Sequence, residues 1–368
     1  MDSVTVSAPG RVNLIGEHTD YSLLPVLPMA IQRRLQVHAD PADDGVIQAR
    51  SARFEGVFHS DRSDNPAWAQ YLTPVIELVG ADRGARLLIE GDLPATGGLS
   101  SSSALTVAAL LALLRLNGRE PTAEELVDLA VRAERATGTE GGAMDQTLIV
   151  NARAGTALRI DFDPPSWQTI DVPDTIGFVA GYSGVPAPKG GSARDAYNAR
   201  VVGTRTGAML LGADPPYLAD VEGDIADLID TLPVAAMPPP EATRLTTGVY
   251  DGTEPLPVRA WARHVLTEAQ RVELAGSALE AGDAAMLGRL FDESHASLAG
   301  DYGVSTPELD LLVKAARDAG ATGARLTGAG FGGWAVAICD IDRVNAVTDA
   351  MAAVADQAFR VEPSGGVA

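Results

Sequence analysis

Residues 91–105, GDLPATGGLSSSSAL, set a proline, two adjacent glycines and four consecutive serines directly ahead of an apolar run that continues to residue 116. Glycine lets a backbone come close to a ligand. The first turn of a helix presents N–H groups with no partner inside the helix, and those donors, with the helix dipole, favour an anion at that end. A serine hydroxyl there is also an oxygen donor of the kind Mg2+ prefers. One serine would suffice to cap a helix, so from this stretch alone a phosphate site and a capped helix behind a flexible turn both stand open. A solvated linker does not, because residues 101–116 are apolar almost all round and predict a helix enclosed by other elements.

The rest of the chain limits what such a site can be made of. Its 368 residues suffice for two domains or one large one. A hydrophobic share of 46% and a charged share of 21% are those of an ordinary globular protein. A single cysteine, Cys339, leaves no disulfide possible within the chain, as expected in a reducing compartment. The opening MDSVTVSAPG has no basic segment followed by an apolar core, and residues 104–114 are too few to span a bilayer. The expectation is a cytoplasmic protein with no membrane partner. A formal charge of −21 argues against nucleic acid and anionic lipid surfaces, which need a basic face, but leaves room for a small phosphate ligand held by local donors. Only Lys189 and Lys314 occur, and neither lies in a Gly-Lys-Ser/Thr loop or beside protein-kinase HRD and DFG motifs. Phosphate chemistry here must rest on arginine, backbone amides or a metal.

Alternating and β-rich apolar stretches predict strands at 4–8, 35–39, 54–59, 86–90 and 176–180, and 334–340 continues the pattern. Helical spacing predicts helices at 101–116, 122–135, 195–211, 261–280, 284–299 and 307–319. Thr122 with Glu125 three residues on reads as a capping box. Strands and helices mix without a regular βαβ repeat, so the fold class is α+β. Residues 214–257, rich in Pro, Asp and Gly, read as a loop-bearing excursion. A boundary near 172 divides an N-terminal domain, 1–172, from a C-terminal one, 173–368.

PATGGLSSSSAL (94–105) resembles the second signature of the GHMP small-molecule kinases, and LTGAGFGGWAVAI (326–338) resembles their glycine-rich third signature. Gly328, Gly330 and Gly333 also satisfy G-x-G-x-x-G, but they run into a strand pattern where a dinucleotide fingerprint would open a helix. GRVNLIGEHTDY (10–21) resembles the signature of the galactokinase branch, and GAMDQ (142–146), the run 263–310 and the closing VEPSGG add further matches.

The resemblance implies a two-domain GHMP fold with mixed sheets and its site in the cleft between domains. The implied activity is ATP- and Mg2+-dependent phosphorylation of the anomeric hydroxyl of galactose, giving galactose 1-phosphate, by a monomer. Related acceptors (N-acetylgalactosamine, arabinose) or a non-catalytic galactose and ATP sensor are the alternatives. The intact serine run with Arg11 and Asp145 favours an enzyme.

By the same resemblance, Asp145 and Arg11 are the catalytic pair. A carboxylate can accept a hydroxyl proton and a guanidinium can offset charge developing on the phosphoryl group. Glu17, His18, Asp20, Gly142 and Tyr197 match the sugar-binding positions. Donors and acceptors on a probable turn after the first strand suit a sugar whose hydroxyls must all be matched. Thr96, Gly97, Gly98, Leu99, Ser100, Ser101 and Ser102 match the phosphate loop, and Trp68, with Tyr71, an aromatic pair near adenine. Ser102 and Glu134 match the metal pair, with Glu140 the weaker alternative. The chain departs from the family at Ser22-Leu23-Leu24-Pro25, where Asn-Gly-Gly or Asn-Asp-Gly is usual. That change predicts a reshaped wall beside the sugar.

Overall fold

The computed structural model describes residues 2–80, 83–138, 142–186, 192–239 and 252–368. The first strand, β1 (Val4–Ile15), is far longer than its alternating segment, because residues 9–15 are buried on both faces and so lose the period-2 signal. It pairs antiparallel with β2 (Leu27–Ala42). After β3 (Ile47–Ser51), β4 (Val57–His59) and helix α1 (Leu72–Val79) comes β5 (Gly84–Gly91), and the five strands form one sheet in the order β1-β2-β5-β3-β4. The strand expected at 54–59 is confined to its last three residues.

Across β1 and β2 lies α2 (Ser101–Leu116), buried from Ser103 to Leu114 on every face, as its composition requires. Each large aliphatic side chain removed from water in this way contributes about 1.5–3 kcal/mol. Helix α3 (Ala123–Arg135) carries the expected capping box: Thr122 Oγ1 accepts from the Glu125 N–H at 3.2 Å, and the Glu125 carboxylate accepts from the Thr122 N–H at 2.9 Å.

Helix α4 (Met144–Asn151), which periodicity did not predict, follows and packs on α2, α3 and both first strands. It is only eight residues long, buried over Met144 and Gln146–Ile149, and has no capping side chain at its start. Such a segment carries neither amphipathic spacing nor a start signal. The hairpin β6 (Thr156–Phe162) and β7 (Pro165–Asp171) was likewise not anticipated.

Beyond it, β8 (Ile176–Tyr182), the helices α5 (Ser192–Leu210), α6 (Ile225–Thr231), α7 (Val258–Glu280), α8 (Ala284–Gly300) and α9 (Pro307–Asp318), strands β9 (Gly323–Thr327) and β10 (Trp334–Asp340), helix α10 (Val344–Ala352) and β11 (Gln357–Val361) complete the chain. Four of these strands form an antiparallel sheet in the order β11-β8-β10-β9. The third glycine motif is the turn between β9 and β10, which it enters as a strand, so the dinucleotide reading fails here as it did on the sequence pattern. Residue 172 falls between β7 and β8, and the larger apolar core draws on both sides of it, from Val6 and Val12 to Phe178 and Trp334.

Candidate active site

The two glycine motifs meet because neither carries a side chain. Gly98 has φ +113° and Gly328 φ +87°, and a Cβ on Gly328 would lie 3.0 Å from the Gly98 Cα. This contact brings the start of α2 against the β9–β10 turn and opens a cavity of about 240 Å3. Arg11, Glu17, His18, Asp20, Gly97, Gly98, Ser100, Ser102, Glu134, Gly142, Asp145 and Tyr197 all line it. Twelve of the sequence-nominated positions thus share one space, although they come from five separate segments.

Arg11 lies within β1 rather than on the expected turn, which begins only at Gly16. Strand placement fixes the guanidinium. Its Nε donates to Asp145 Oδ1 at 2.7 Å, its Nη2 to Oδ2 at 3.0 Å and its Nη1 to the Gly98 carbonyl at 2.5 Å. Asp145 sits in the first turn of α4, where the helix dipole favours a negative charge, and it also accepts from Ser100 Oγ at 2.5 Å.

Asp20 faces this pair. Burial, and then the neighbouring Asp145 charge, push its carboxyl up to about 6. A Cβ on Gly142 would collide with the Asp20 carboxylate, so only glycine admits it there.

His18 is held neutral: burial, then repulsion from His264, push it down to about 3. Its Nε2 lies 3.1 Å from the Ala329 carbonyl, which only accepts, so Nε2 carries the hydrogen and Nδ1 is the acceptor. Tyr21 Oη, 3.0 Å away, therefore donates to Nδ1, and Tyr302 Oη in turn donates to Tyr21 at 2.6 Å. The Tyr197 ring closes this side, 5.6 Å from His18 and 5.7 Å from Tyr21 between centroids.

Glu17 is buried among partners that sequence reasoning missed. Its carboxylate pairs with Arg325 and accepts from the Gly328 N–H at 2.8 Å. Burial pushes it up to about 7 against the pull of Arg325. Arg325, fully buried, also donates to the carbonyls of Asn13 (3.2 Å) and Leu14 (2.8 Å), tying the end of β1 to β9. Burial raises the nearby Glu268 too, but Arg271 and Arg325 outweigh it and hold that carboxyl at about 2. Glu268 accepts from the Gly16 N–H at 3.0 Å and Ser294 Oγ at 2.7 Å, which fixes the turn carrying Glu17 to Asp20.

A second cavity of about 370 Å3 lies on the other side of the α2 start, lined by Trp68, Tyr71, Ser101 and Ser102 among others. Tyr71 and Ser102 line both spaces. Burial, then the Glu134 charge, raise the Tyr71 hydroxyl above its ordinary value against a hydrogen bond with Ser102, so these three side chains are neighbours. Two nominated residues line neither cavity. Thr96 Oγ1 accepts from the Trp334 indole at 3.2 Å, and Leu99 is buried in the core with its carbonyl accepting from the Arg11 N–H at 3.2 Å. They support the loop from behind. Glu140 lies outside the described residues.

The descriptions "Galactokinase galactose-binding signature", "GHMP kinases N terminal domain" and "GHMP kinases C terminal" match residues 2–41, 69–153 and 277–357. A galactokinase of Roseiflexus sp. is 38% identical over 348 residues, covering 92% of this chain and 83% of its own. One of Streptomyces coelicolor is 36% identical, covering 98% and 92%. This chain belongs to the galactokinase family. The fold agrees: the crystal structure of Lactococcus lactis galactokinase complexed with galactose superimposes with a TM-score of 0.85 at 28% identity, covering 100% of this chain and 95% of that one. A mevalonate kinase of Methanococcus jannaschii, at 16% identity and a TM-score of 0.68, shares the fold alone.

The segment Ser22-Leu23-Leu24-Pro25 does not line the cavity. The reshaped sugar wall expected from it is therefore not where the substitutions fall. Leu23 takes the left-handed conformation (φ +62°), and Leu24 packs against the second apolar core. The missed site residues (Arg325, Glu268, Tyr21, Tyr302) gave one usable signal: they sit inside or beside the matched motifs. Their charge and polarity otherwise predict exposure.

Proposed function

We propose that this protein transfers the γ-phosphoryl group of ATP to the anomeric hydroxyl of galactose, giving galactose 1-phosphate. The observation that carries the reading is the Arg11–Asp145 pair at 2.7 Å, joined through Ser100 to the start of the buried helix α2 in one cavity. Phosphoryl transfer is chiefly a matter of positioning and charge stabilisation. The cavity supplies both. The glycine-loosened start of α2 takes the phosphates, and Asp145 takes the proton of the attacking hydroxyl. Arg11 keeps that carboxylate in place and offsets charge on the phosphoryl group. Glu17, Asp20, Gly142 and Tyr197 meet the sugar hydroxyls, and His18, a neutral ring whose two nitrogens are taken by Ala329 and Tyr21, forms the sugar-binding wall beside them. The second cavity, with Trp68, takes the adenine.

For Mg2+, Ser102 and Glu134 offer a hydroxyl and a carboxylate oxygen on the same cavity, the hard donors this ion prefers, with phosphate and water completing its shell. When bound, the ion neutralises phosphate charge. A monomeric state belongs to the same reading. No described helix is long and apolar enough to cross a membrane. A cytoplasmic location and the division at residue 172 remain part of this proposal.

ADP release measured with ATP and Mg2+ across a panel of aldoses and amino sugars tests the reading. A preference for galactose of tenfold or more, about 1.4 kcal/mol in transition-state binding, is the expected result. Equal rates across the panel would overturn the choice of galactose, and galactose binding without ADP release would make the protein a sensor.

A further inference from the structure

Three donors reach the Asp145 carboxylate among the described residues, and they divide unequally. Oδ1 accepts one, from Arg11 Nε at 2.7 Å. Oδ2 accepts two, from Arg11 Nη2 at 3.0 Å and from Ser100 Oγ at 2.5 Å. A carboxylate oxygen offers about two lone-pair sites, so Oδ2 is filled and Oδ1 keeps one.

Ser100 is held in an uncommon state to make this contact. It takes a left-handed conformation, φ 58° and ψ 35°, which costs a non-glycine residue about 1 kcal/mol or more. From there its side chain makes no cap for its own helix. At Thr122, Asp224, Asp283 and Thr306, by contrast, the residue before the helix accepts from that helix's own amides. Strained backbone of this kind clusters where a surrounding structure imposes it for function. Here Arg11 imposes it from two sides: its Nη1 holds the Gly98 carbonyl and its N–H holds the Leu99 carbonyl, fixing the chain into Ser100.

We propose that Ser100 is a positioning residue that fills the last lone-pair site of Asp145 Oδ2 and so makes Oδ1 the oxygen that accepts the sugar proton. This rests on the reading of Asp145 as the proton acceptor. In the step so directed, the anomeric O–H proton passes to Oδ1 and the freed oxygen electron pair forms the bond to the γ-phosphorus. The bond from that phosphorus to the bridging oxygen breaks, and its electrons leave on ADP. With one acceptor oxygen in place of two, the hydroxyl has a single approach in line with the phosphoryl group.

The test uses Ser100→Gly, Ser100→Ala, Asp145→Asn and the double variant Ser100→Gly/Asp145→Asn in the full chain, read by kcat, both KM values and melting temperature. Glycine suits a left-handed position, so Ser100→Gly should melt no lower than wild type, while its kcat falls roughly tenfold, the usual order for losing a supporting hydrogen bond. KM for galactose and for ATP should stay within about threefold. Ser100→Ala should lose kcat equally. In the Asp145→Asn background, Ser100→Gly should change the residual rate by less than about twofold, because its route runs through Asp145.

Unchanged kcat in Ser100→Gly overturns the proposal, as does full kcat in Ser100→Ala, which would assign the glycine effect to backbone loosening. A raised KM for ATP at constant kcat would place the hydroxyl on phosphate instead. Multiplying effects in the double variant would show that Ser100 acts independently of Asp145. Near-full turnover in Asp145→Asn alone fails a different claim, the proton-acceptor reading itself.

Discussion

Helices α2 and α3 follow one another in the chain and begin in opposite ways. At α3, Thr122 and Glu125 satisfy each other's amides on an exposed face, and the result is a stable helix start with nothing left to offer. At α2, Ser100 stands in a strained conformation, turns its hydroxyl to Asp145 and leaves its helix uncapped by that side chain, at the wall of a cavity. The same residue class, a small hydroxyl ahead of a helix, thus serves stability in one place and chemistry in the other. Strain at the second is not isolated: His18 and Phe331 also take positive φ and line the same cavity.

That contrast can be broken most severely at Asp145. Asp145→Asn should lower kcat by about a thousandfold, roughly 4 kcal/mol, while galactose still binds in an equilibrium titration. Substitutions in the α3 cap should leave kcat alone.

Asp20→Asn comes next and separates stability from function through pH. The Asp20 carboxyl sits at about 6 in the fold against 3.8 for the ordinary group. The fold therefore binds the extra proton between those values, and the stability so gained is full below 3.8 and lost as pH rises through about 6. The amide never bears the buried charge. Asp20→Asn should melt above wild type at pH 7.5, by about 1 kcal/mol, with the gap closing at pH 4. Its galactose KM should rise at least tenfold.

Thr122→Ala should cost about 1 kcal/mol in urea unfolding with no change in kcat or KM. The smallest effect belongs to Leu23→Gly, which removes the penalty of a left-handed leucine away from the cavity. A gain of about 0.5–1 kcal/mol with an unchanged sugar preference is expected. A changed preference would return the segment to the sugar wall.

The sequence was most legible where one short stretch carries its own reason. Residues 101–116 read as an enclosed helix because no face is polar, and residues 122–125 read as a cap because both partners lie within one turn. It was least legible in α4, whose eight residues carry neither a period nor a cap, although Asp145 depends on that helix for its position. Arg325 and Glu268 were hidden for a further reason. A charged side chain is assigned to the surface by default, and their full burial becomes affordable only when Glu17, Arg271 and several carbonyls arrive to meet them.

By itself the sequence determined the α+β class, the buried helix behind the serine run, the glycine turn that enters a strand, and the residue types a sugar phosphotransferase needs. Those are consequences of local period, capping and motif, each fixed within about twenty residues. Only the tertiary structure decided that Gly98 rests on Gly328, that Arg11 on a strand reaches Asp145 across 134 positions, and that Ser100 serves the carboxylate rather than its own helix. Charge pairing at such separations depends on which groups packing takes out of water together, and no local pattern records that.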